Sequence, residues 1–471
     1  MRVLPVVSLN KEQLPLLADN EAGVFVVRGA AGSGKTTTAL MRLRQLCQSR
    51  LTRRAREGAK SPGHPQPPVR VLVLTFNRTL EGYIRALAEH QVAQAEGLDL
   101  RVTTFASWAV SLIPGGYTVD AVRADSLLQS LCGRLPGSTK FLMDEVRYVL
   151  GRFAYDDLES YLRARREGRG GSPRMEEPAR RRLLDEVIYP FLAAKAKAKI
   201  ADWNDLAVAA VSASPTDTWD VIVVDETQDF SANELRAILA HTNDETSVTF
   251  IIDAAQQIYK KGFSWKDVGV DNPQVRSLKG NYRNTREIAA LARPLVDGLP
   301  VGVDGTLPNL NATVRSGARP VIVRGKYAAQ VAWAIKNVVG TADLANQSVG
   351  FLVFGEGAVS RTLKGALTAA GVDWVELTSQ REWPRGSEAV AVSTLHSAKG
   401  LEFDHVVILG ISDFVTQHGT EADDTDLEGW RRLLAMGIGR ASQTVTLGYK
   451  PGEESKLISF LDPSTFDAVS V

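Results

Sequence analysis

Cysteine is nearly missing: Cys47 and Cys132 are the only two in 471 residues, and they carry no metal-ligand spacing. They read as buried thiols in a reducing compartment. No run approaches the ~20 apolar residues of a membrane span, and the N-terminus lacks the basic segment, apolar core and cleavage site of a leader. A cytoplasmic location with no membrane partner is the expectation. Neither charge is in excess, since 55 Lys and Arg face 54 Asp and Glu for a net +1. A polyanion would therefore have to be met by local patches. There is no solenoid repeat, no long low-complexity tract and no nuclease-type carboxylate and lysine motif.

The remaining composition, 44% hydrophobic and 23% charged, is ordinary for a globular chain, and its length favours about three domains. Two segments carry chemistry. Gly29-Ala30-Ala31-Gly32-Ser33-Gly34-Lys35-Thr36 follows the apolar run 24–27 and precedes a helical stretch at 37–46. That is the strand, loop and helix context of a phosphate-binding loop. Its backbone N–H groups would curl around phosphates at a helix N-terminus, with Lys35 on the outer phosphates and Thr36 on Mg2+. About 190 residues later the apolar strand 221–224 ends in Asp225 and Glu226. There Asp225 can hold the metal and Glu226 can take a proton from the attacking water. Alone, the first is also readable as a plain turn and the second as a solvated acidic pair. Together they predict an NTP-hydrolysing site.

Two basic clusters stand out, one at Arg50, Arg53, Arg54, Arg56, Lys60 and Arg70 and one at Arg163, Arg165, Arg166, Arg169 and Arg174 with Arg180 to Arg182 following. The first runs into a proline-rich stretch at 61–68, so residues 50–70 read as a loop or linker. A phosphate-backbone track and a solvated loop are both open readings of each cluster.

Apolar runs at 24–27, 69–75, 100–104, 221–224 and 247–252 alternate with helical stretches, which predicts an α/β fold with a parallel sheet covered on both faces. Between residues 104 and 203 the period turns helical. A second α/β block, with strand candidates at 320–323, 349–354, 389–393, 405–409 and 444–449, has no phosphate-binding loop of its own. Two such blocks suggest a nucleotide held between a loop-bearing domain and one that supplies arginines across a cleft.

The order of further motifs resembles superfamily 1 helicases of the UvrD, Rep and PcrA type. Residues 9–13, ending in Gln13, resemble the glutamine motif, and 73–77 and 103–107 resemble motifs Ia and Ib. Residues 224–229 are similar to motif II, 253–259 to motif III and 281–285 to motif IV. Residues 394–403 are nearly verbatim motif V, and 436–441 resemble motif VI. The resemblance implies two RecA-like domains in tandem: 1–104 and 201–277 forming the first, 105–200 a helical insertion, and 278–471 the second. It implies that Gln13 reads the adenine edge, Tyr282 stacks on it, Glu402 meets the ribose beside Gly400, and Gln256 senses the γ-phosphate. Arg283 and Arg440 would be the phosphate-contacting arginines. Thr75, Phe76, Asn77, Thr104, Phe105, Thr394 and His396 would line a single-stranded DNA path, with Tyr259, Phe263 and Trp265 as further stacking aromatics.

Three positions depart from the family pattern: Thr37 where an arginine is common near the base, Ala106 for a histidine, and Gly439 for a threonine. Motif IV to motif V spans only about 110 residues, so the large second-domain insertion of full-sized relatives is expected to be absent or vestigial. The expected activity is ATP- and Mg2+-dependent translocation on single-stranded or partly duplex DNA, 3′ to 5′ by resemblance. Alternatives are the motor subunit of a nuclease complex in repair or anti-phage defence, a DNA-stimulated switch that does not unwind, and an unrelated P-loop ATPase.

Overall fold

The computed structural model describes residues 11–19, 21–29, 32–60, 66–76, 78–92, 97–166, 174–213, 218–252, 262–278, 280–299, 313–378, 380, 382–384, 386–419 and 425–471. Six parallel strands form the first sheet: β1 (Gly23–Gly29), β2 (Val69–Thr75), β3 (Leu98–Thr104), β4 (Val221–Val224), β5 (Ser247–Ile252) and β6 (Gln274–Leu278). Their order is β3-β2-β4-β5-β1-β6. All four residues of β4 and all six of β5 are buried, as expected of continuous apolar strands covered on both faces. Because the strands are parallel and in register, β1 and β4 end on the same edge of the sheet. The glycine that opens the phosphate-binding loop and the Asp225-Glu226 pair are therefore neighbours at the carboxyl ends of the strands, where open α/β sheets take ligands.

Helices between β3 and β4 form the insertion, with a core of their own that includes Leu128, Val146, Val149, Tyr161 and Phe191. One of them runs from Glu177–Leu183 through a π-turn at Leu184–Ile188 into Tyr189–Ala198, which carries Pro190 in its first turn. A proline lacks the N–H that an unbroken α-helix would use, and the extra residue per turn absorbs the mismatch. At the far end Lys195, nearly fully buried, binds Asp202 and Asp205 at 2.7 and 2.6 Å. Those two aspartates also form the capping box of the next helix, Trp203–Ser212, so the cation pins the insertion to the helix that leads back to β4.

A short parallel pair, β7 (Asn281–Thr285) and β8 (Thr313–Arg315), precedes the second sheet. That sheet has seven parallel strands: β9 (Val321–Arg324), β10 (Val349–Val353), β11 (Trp374–Glu376), β12 (Val390–Thr394), β13 (Phe403–Ile408), β14 (Ala441–Tyr449) and β15 (Asp467–Ser470), ordered β11-β12-β10-β13-β14-β9-β15. The expected α/β class, two parallel sheets in tandem with helices inserted in the first, is the observed one. Strands β6, β7, β8, β11 and β15 were not expected; β7 and β8 form the short separate pair, and β6, β11 and β15 are sheet edges, whereas the fourth edge, β3, was expected from its apolar run. An edge strand has one neighbour and one wet side, so it needs no apolar run to mark it.

The reading of residues 50–70 as a loop does not hold for residues 50–60, while 61–65 lie outside the described residues and 66–68 carry no regular structure. The helix that begins at Lys35 continues to Lys60. Arginine is a good helix former, and these arginines have acidic partners: Arg53 with Glu57 one turn on, Arg50 and Arg53 with Glu245, and Arg54 with Asp220 at 2.7 Å. In the second basic cluster four arginines are engaged within the fold, while Arg163, Arg165 and Arg174 are exposed and Arg169 lies outside the described residues. Arg166 meets the fully buried Glu145 at 2.6 Å, Arg180 donates to the backbone carbonyls of Met175, Tyr161 and Ala164, and Arg181 and Arg182 pair with Glu159 and Glu186. The paired side chains hold the fold together. Among the described residues no helix is long and apolar enough to cross a membrane.

The two sheets meet through Tyr282 N–H donating to Gly32 O at 2.9 Å, Thr79 Oγ1 donating to Leu377 O at 2.8 Å, and Tyr83 packing on Trp383 at 4.9 Å.

Candidate nucleotide cleft and nucleic-acid groove

Gly32 and Gly34 take φ of +78° and +77°, a conformation that favours glycine, and so turn the loop between β1 and its helix. A Cβ on Gly32 would strike the Asn281 side chain, and one on Gly34 would strike Gln13. Ser33 Oγ is buried and meets no hydrogen-bond partner among the described residues. Ala30 and Ala31 lie outside the described residues. Lys35 Nζ donates to Gly29 O at 2.7 Å, folding across the loop it follows. Thr36 Oγ1 donates to Asp225 Oδ2 at 3.2 Å, which brings a hydroxyl and a carboxylate together as an all-oxygen pair suited to Mg2+. The residues fit a phosphate chain with a divalent cation.

Asp225 is buried, and burial together with the neighbouring Glu226 charge pushes its carboxyl up to about 7. Burial works the same way on Glu226, but Lys399, Arg440 and Lys35 outweigh it and hold that carboxyl below its ordinary value. Divergent neighbours thus give adjacent carboxylates different characters. Glu226 has φ +52°, unusual outside glycine, held by its N–H on Asp225 Oδ1 at 2.9 Å and its carbonyl on the Asp229 N–H at 2.9 Å.

The second domain closes the cleft. Arg283, Gly400, Glu402 and Arg440 line the same cavity as Gly32, Gly34, Lys35, Thr36, Thr37, Asp225 and Glu226. Arg440 is 2% exposed and donates to the carbonyls of Met436 and Leu401 at 3.2 and 3.4 Å. Arg283 forms an ion pair with Glu402. Gln13 donates to Ser33 O at 3.3 Å, so its amide here braces the loop. Tyr282 is half-buried beside Gly280, whose Cβ would strike the ring. Gln256 lies outside the described residues.

A separate groove of about 900 Å³ runs between the first domain, the helical insertion and the second domain. Of the residues expected on a DNA path, Phe76, Thr104, Phe105 and His396 line it. Thr104 is buried as the N-cap of the helix Phe105–Leu112. Phe105 is a core residue at 5% exposure, edge-on to Trp108 and Phe230, and only borders the groove. Trp265 does not meet the expectation of a stacking residue. It is 8% exposed and packed on Phe250 at 5.2 Å, with Phe263 edge-on to it at 5.4 Å, because it opens a short turn that closes over the first sheet. Thr75 is fully buried at the end of β2, and Thr394 Oγ1 caps its own turn by accepting from Ser397 N–H at 3.1 Å. Asn77 and Tyr259 lie outside the described residues.

The groove also contains residues that sequence reasoning missed. Trp203 is 55% exposed at the start of its helix. Its spacing to Leu206, Ala207 and Ala210 is that of a core position, so no pattern in the sequence marks it as exposed. Trp430 is half-buried, anchored by Nε1 on Gln417 O at 3.0 Å. Arg147, Arg152 and Lys140 reach the groove already paired with acids, whereas exposed Arg78 makes no ion pair among the described residues.

A candidate nucleotide cleft between two parallel-sheet domains, beside a groove bordered by aromatic residues, is the arrangement of a two-domain P-loop protein. The sequence matches the AAA domain family over residues 16–261 and the UvrD-like helicase C-terminal domain over residues 357–451. With more than half its length under the first match and the second following in order, the chain belongs to the AAA domain family and, within it, to the UvrD, Rep and PcrA type. It is 35% identical over 97 residues to the ATP-dependent DNA helicase PcrA of Bacillus subtilis, 20% of this chain and 13% of that one. It is 44% identical over 63 residues to DNA helicase II of Escherichia coli (13% and 9%), and 42% identical over 86 residues to the ATP-dependent DNA helicase UvrD1 of Mycobacterium leprae (18% and 11%). These matches span about an eighth of each relative's length or less. A solved C-terminal domain of a possible DNA helicase from Lactobacillus plantarum WCFS1 aligns with a TM-score of 0.30 at 23% identity, covering 40% of this chain and 99% of that one.

Proposed function

We propose that the chain is an ATP- and Mg2+-dependent motor on single-stranded DNA that couples nucleotide hydrolysis to strand separation. One observation carries this reading: Lys35, Thr36, Asp225 and Glu226 of the first domain and Arg283 and Arg440 of the second converge on one cleft, while the same two domains and the insertion enclose the groove. The phosphate-binding loop takes the ATP phosphates, and Thr36 and Asp225 hold the Mg2+, which supplies positive charge to the transferring phosphoryl group. Glu226 accepts the proton of the attacking water. Arg283 and Arg440 meet the γ-phosphate from the opposite side, so its loss releases the second domain from the first. Phe76 and Trp203 offer π-faces to bases in the groove, and Arg78 offers a cation to the backbone. By family likeness the direction is 3′ to 5′.

The test is steady-state ATP hydrolysis with and without single-stranded DNA, with Lys35→Ala as control. Lys35-dependent stimulation by DNA is expected, and hydrolysis indifferent to DNA would remove the motor reading. A second reading, a DNA-stimulated switch that does not unwind alone, is favoured by one contact. Lys140 of the insertion binds Asp426 of the second domain at 2.6 Å, and both residues line the groove. Strand displacement from 3′- and 5′-tailed duplexes separates the two and reports direction. A nuclease or a repair or defence partner would appear by co-purification.

A further inference from the structure

The turn between β12 and β13 faces two ways. His396 lines the groove, Gly400 and Glu402 line the cleft, and Lys399 lies between them at 2% exposure. Its ammonium crosses to the first domain, where it pairs with Asp229 and lies 3.5 Å from Glu226 Oε2. Asp229 has no exposed surface, and Glu226 has little. The same Oε2 accepts the Gln228 side-chain amide, whereas Oε1 takes no hydrogen bond among the described residues. One oxygen of the carboxylate is therefore held, and the other is left for water.

The turn is internally stiff. Ala398 N–H donates to Thr394 O at 2.9 Å, Lys399 N–H to His396 O at 3.3 Å, and Leu401 N–H to Ala398 O at 3.0 Å. Gly400, at φ +82°, permits the reversal that follows Lys399. A shift of His396 toward or away from the groove would carry Lys399 with it.

We propose that Lys399 is a positioning residue for hydrolysis: a cation of the second domain that orients the Glu226 carboxylate of the first and ties that orientation to the groove-lining turn. This rests on the reading of the cleft as the ATPase site and deepens it. Glu226 is then set for water only when the domains are closed and the turn is seated. A cation fully desolvated between two carboxylates and contributed by the opposite domain is placed to make hydrolysis depend on closure.

The experiment measures DNA-stimulated kcat, and the affinity for a fluorescent ATP analogue, for the wild type, Lys399→Met, Lys399→Arg and the double variant Lys399→Met/Asp229→Asn, each checked by thermal melting. Lys399→Met should lower kcat by at least about tenfold while nucleotide affinity stays within about threefold, the signature of an interaction realised in the transition state. Lys399→Arg should recover turnover relative to Lys399→Met. The double variant removes the fully buried Asp229 charge that Lys399→Met leaves without its cation, so it should regain thermal stability without regaining kcat. Turnover by the double variant at the wild-type rate would overturn the proposal, because the pair would then serve only the fold. Equal loss of nucleotide affinity and kcat in a folded Lys399→Met would overturn it too. If wild-type hydrolysis ignores DNA, the motor reading falls, and Lys399 is judged on the Lys35-dependent basal rate.

Discussion

Arg283 and Glu402 form an ion pair at the mouth of the nucleotide cleft, joining the strand β7 to the residues just before β13. The guanidinium is mostly buried, and Arg283 Nη1 also reaches Gly439 O at 3.5 Å. An arginine already desolvated and oriented needs little reorganisation to meet a phosphate. Arg283→Ala is expected to cut DNA-stimulated kcat by about a thousandfold, the scale of an arginine finger. Steady-state hydrolysis checks it, and a loss under tenfold would remove Arg283 from that role.

Glu226→Gln keeps the size and the backbone of the residue but removes the proton acceptor. It is expected to lower kcat by about 100-fold or more while an ATP analogue still binds, since general-base catalysis contributes on that order. Equilibrium titration beside turnover measures both. Hydrolysis at the wild-type rate would exclude Glu226 as the base.

The aromatics separate into two groups with opposite expectations. Trp203→Ala and Phe76→Ala should weaken single-stranded DNA by about 1–3 kcal/mol per lost stack with the melting temperature little changed. Trp265→Ala should instead destabilise the first domain by about 3–5 kcal/mol, because it empties a packed site. Fluorescence anisotropy with labelled oligonucleotide and thermal melting distinguish these outcomes.

Arg78 supplies a test of the backbone track. Arg78→Ala is expected to reduce the salt dependence of DNA binding by about one counterion equivalent at every oligonucleotide sequence. Binding isotherms over a range of salt concentrations read the slope directly.

Burial pushes the Cys47 thiol up to about 12 and the Cys132 thiol up to about 11. Little thiolate is present well below those values, so both should resist a thiol reagent at pH 8 in the folded chain and react as two equivalents after denaturation. Rapid labelling of the native protein would contradict their burial.

The division between what was readable and what was not follows physical range. The phosphate-binding loop, Asp225 and Glu226 were legible because a glycine turn between a strand and a helix, and carboxylates after a buried strand, are local patterns whose chemistry depends on neighbours in the chain. The interior strands were legible because parallel strands covered on both faces must be continuously apolar. The edge strands β6, β11 and β15 were hidden because a strand with one neighbour can escape that demand, although the edge strand β3 was legible from its apolar run. Residues 50–60 were misread as a loop, and the two readings of each basic cluster stayed open, because Arg54 finds Asp220 and Arg166 finds Glu145, partners that no local pattern names. Trp265, expected on the DNA path, is packed inside, and Trp203, for which no place was expected, is exposed, for the same reason: exposure is set by what packs over a residue. Lys399 between Asp229 and Glu226 is a tertiary fact altogether, since its partners lie 170 or more residues away on another domain. The sequence by itself determined which chemical groups the chain carries and how each short segment folds. Only the closing of two sheets on one another decided which charges are desolvated together, because desolvation depends on every atom nearby and not on the order of residues.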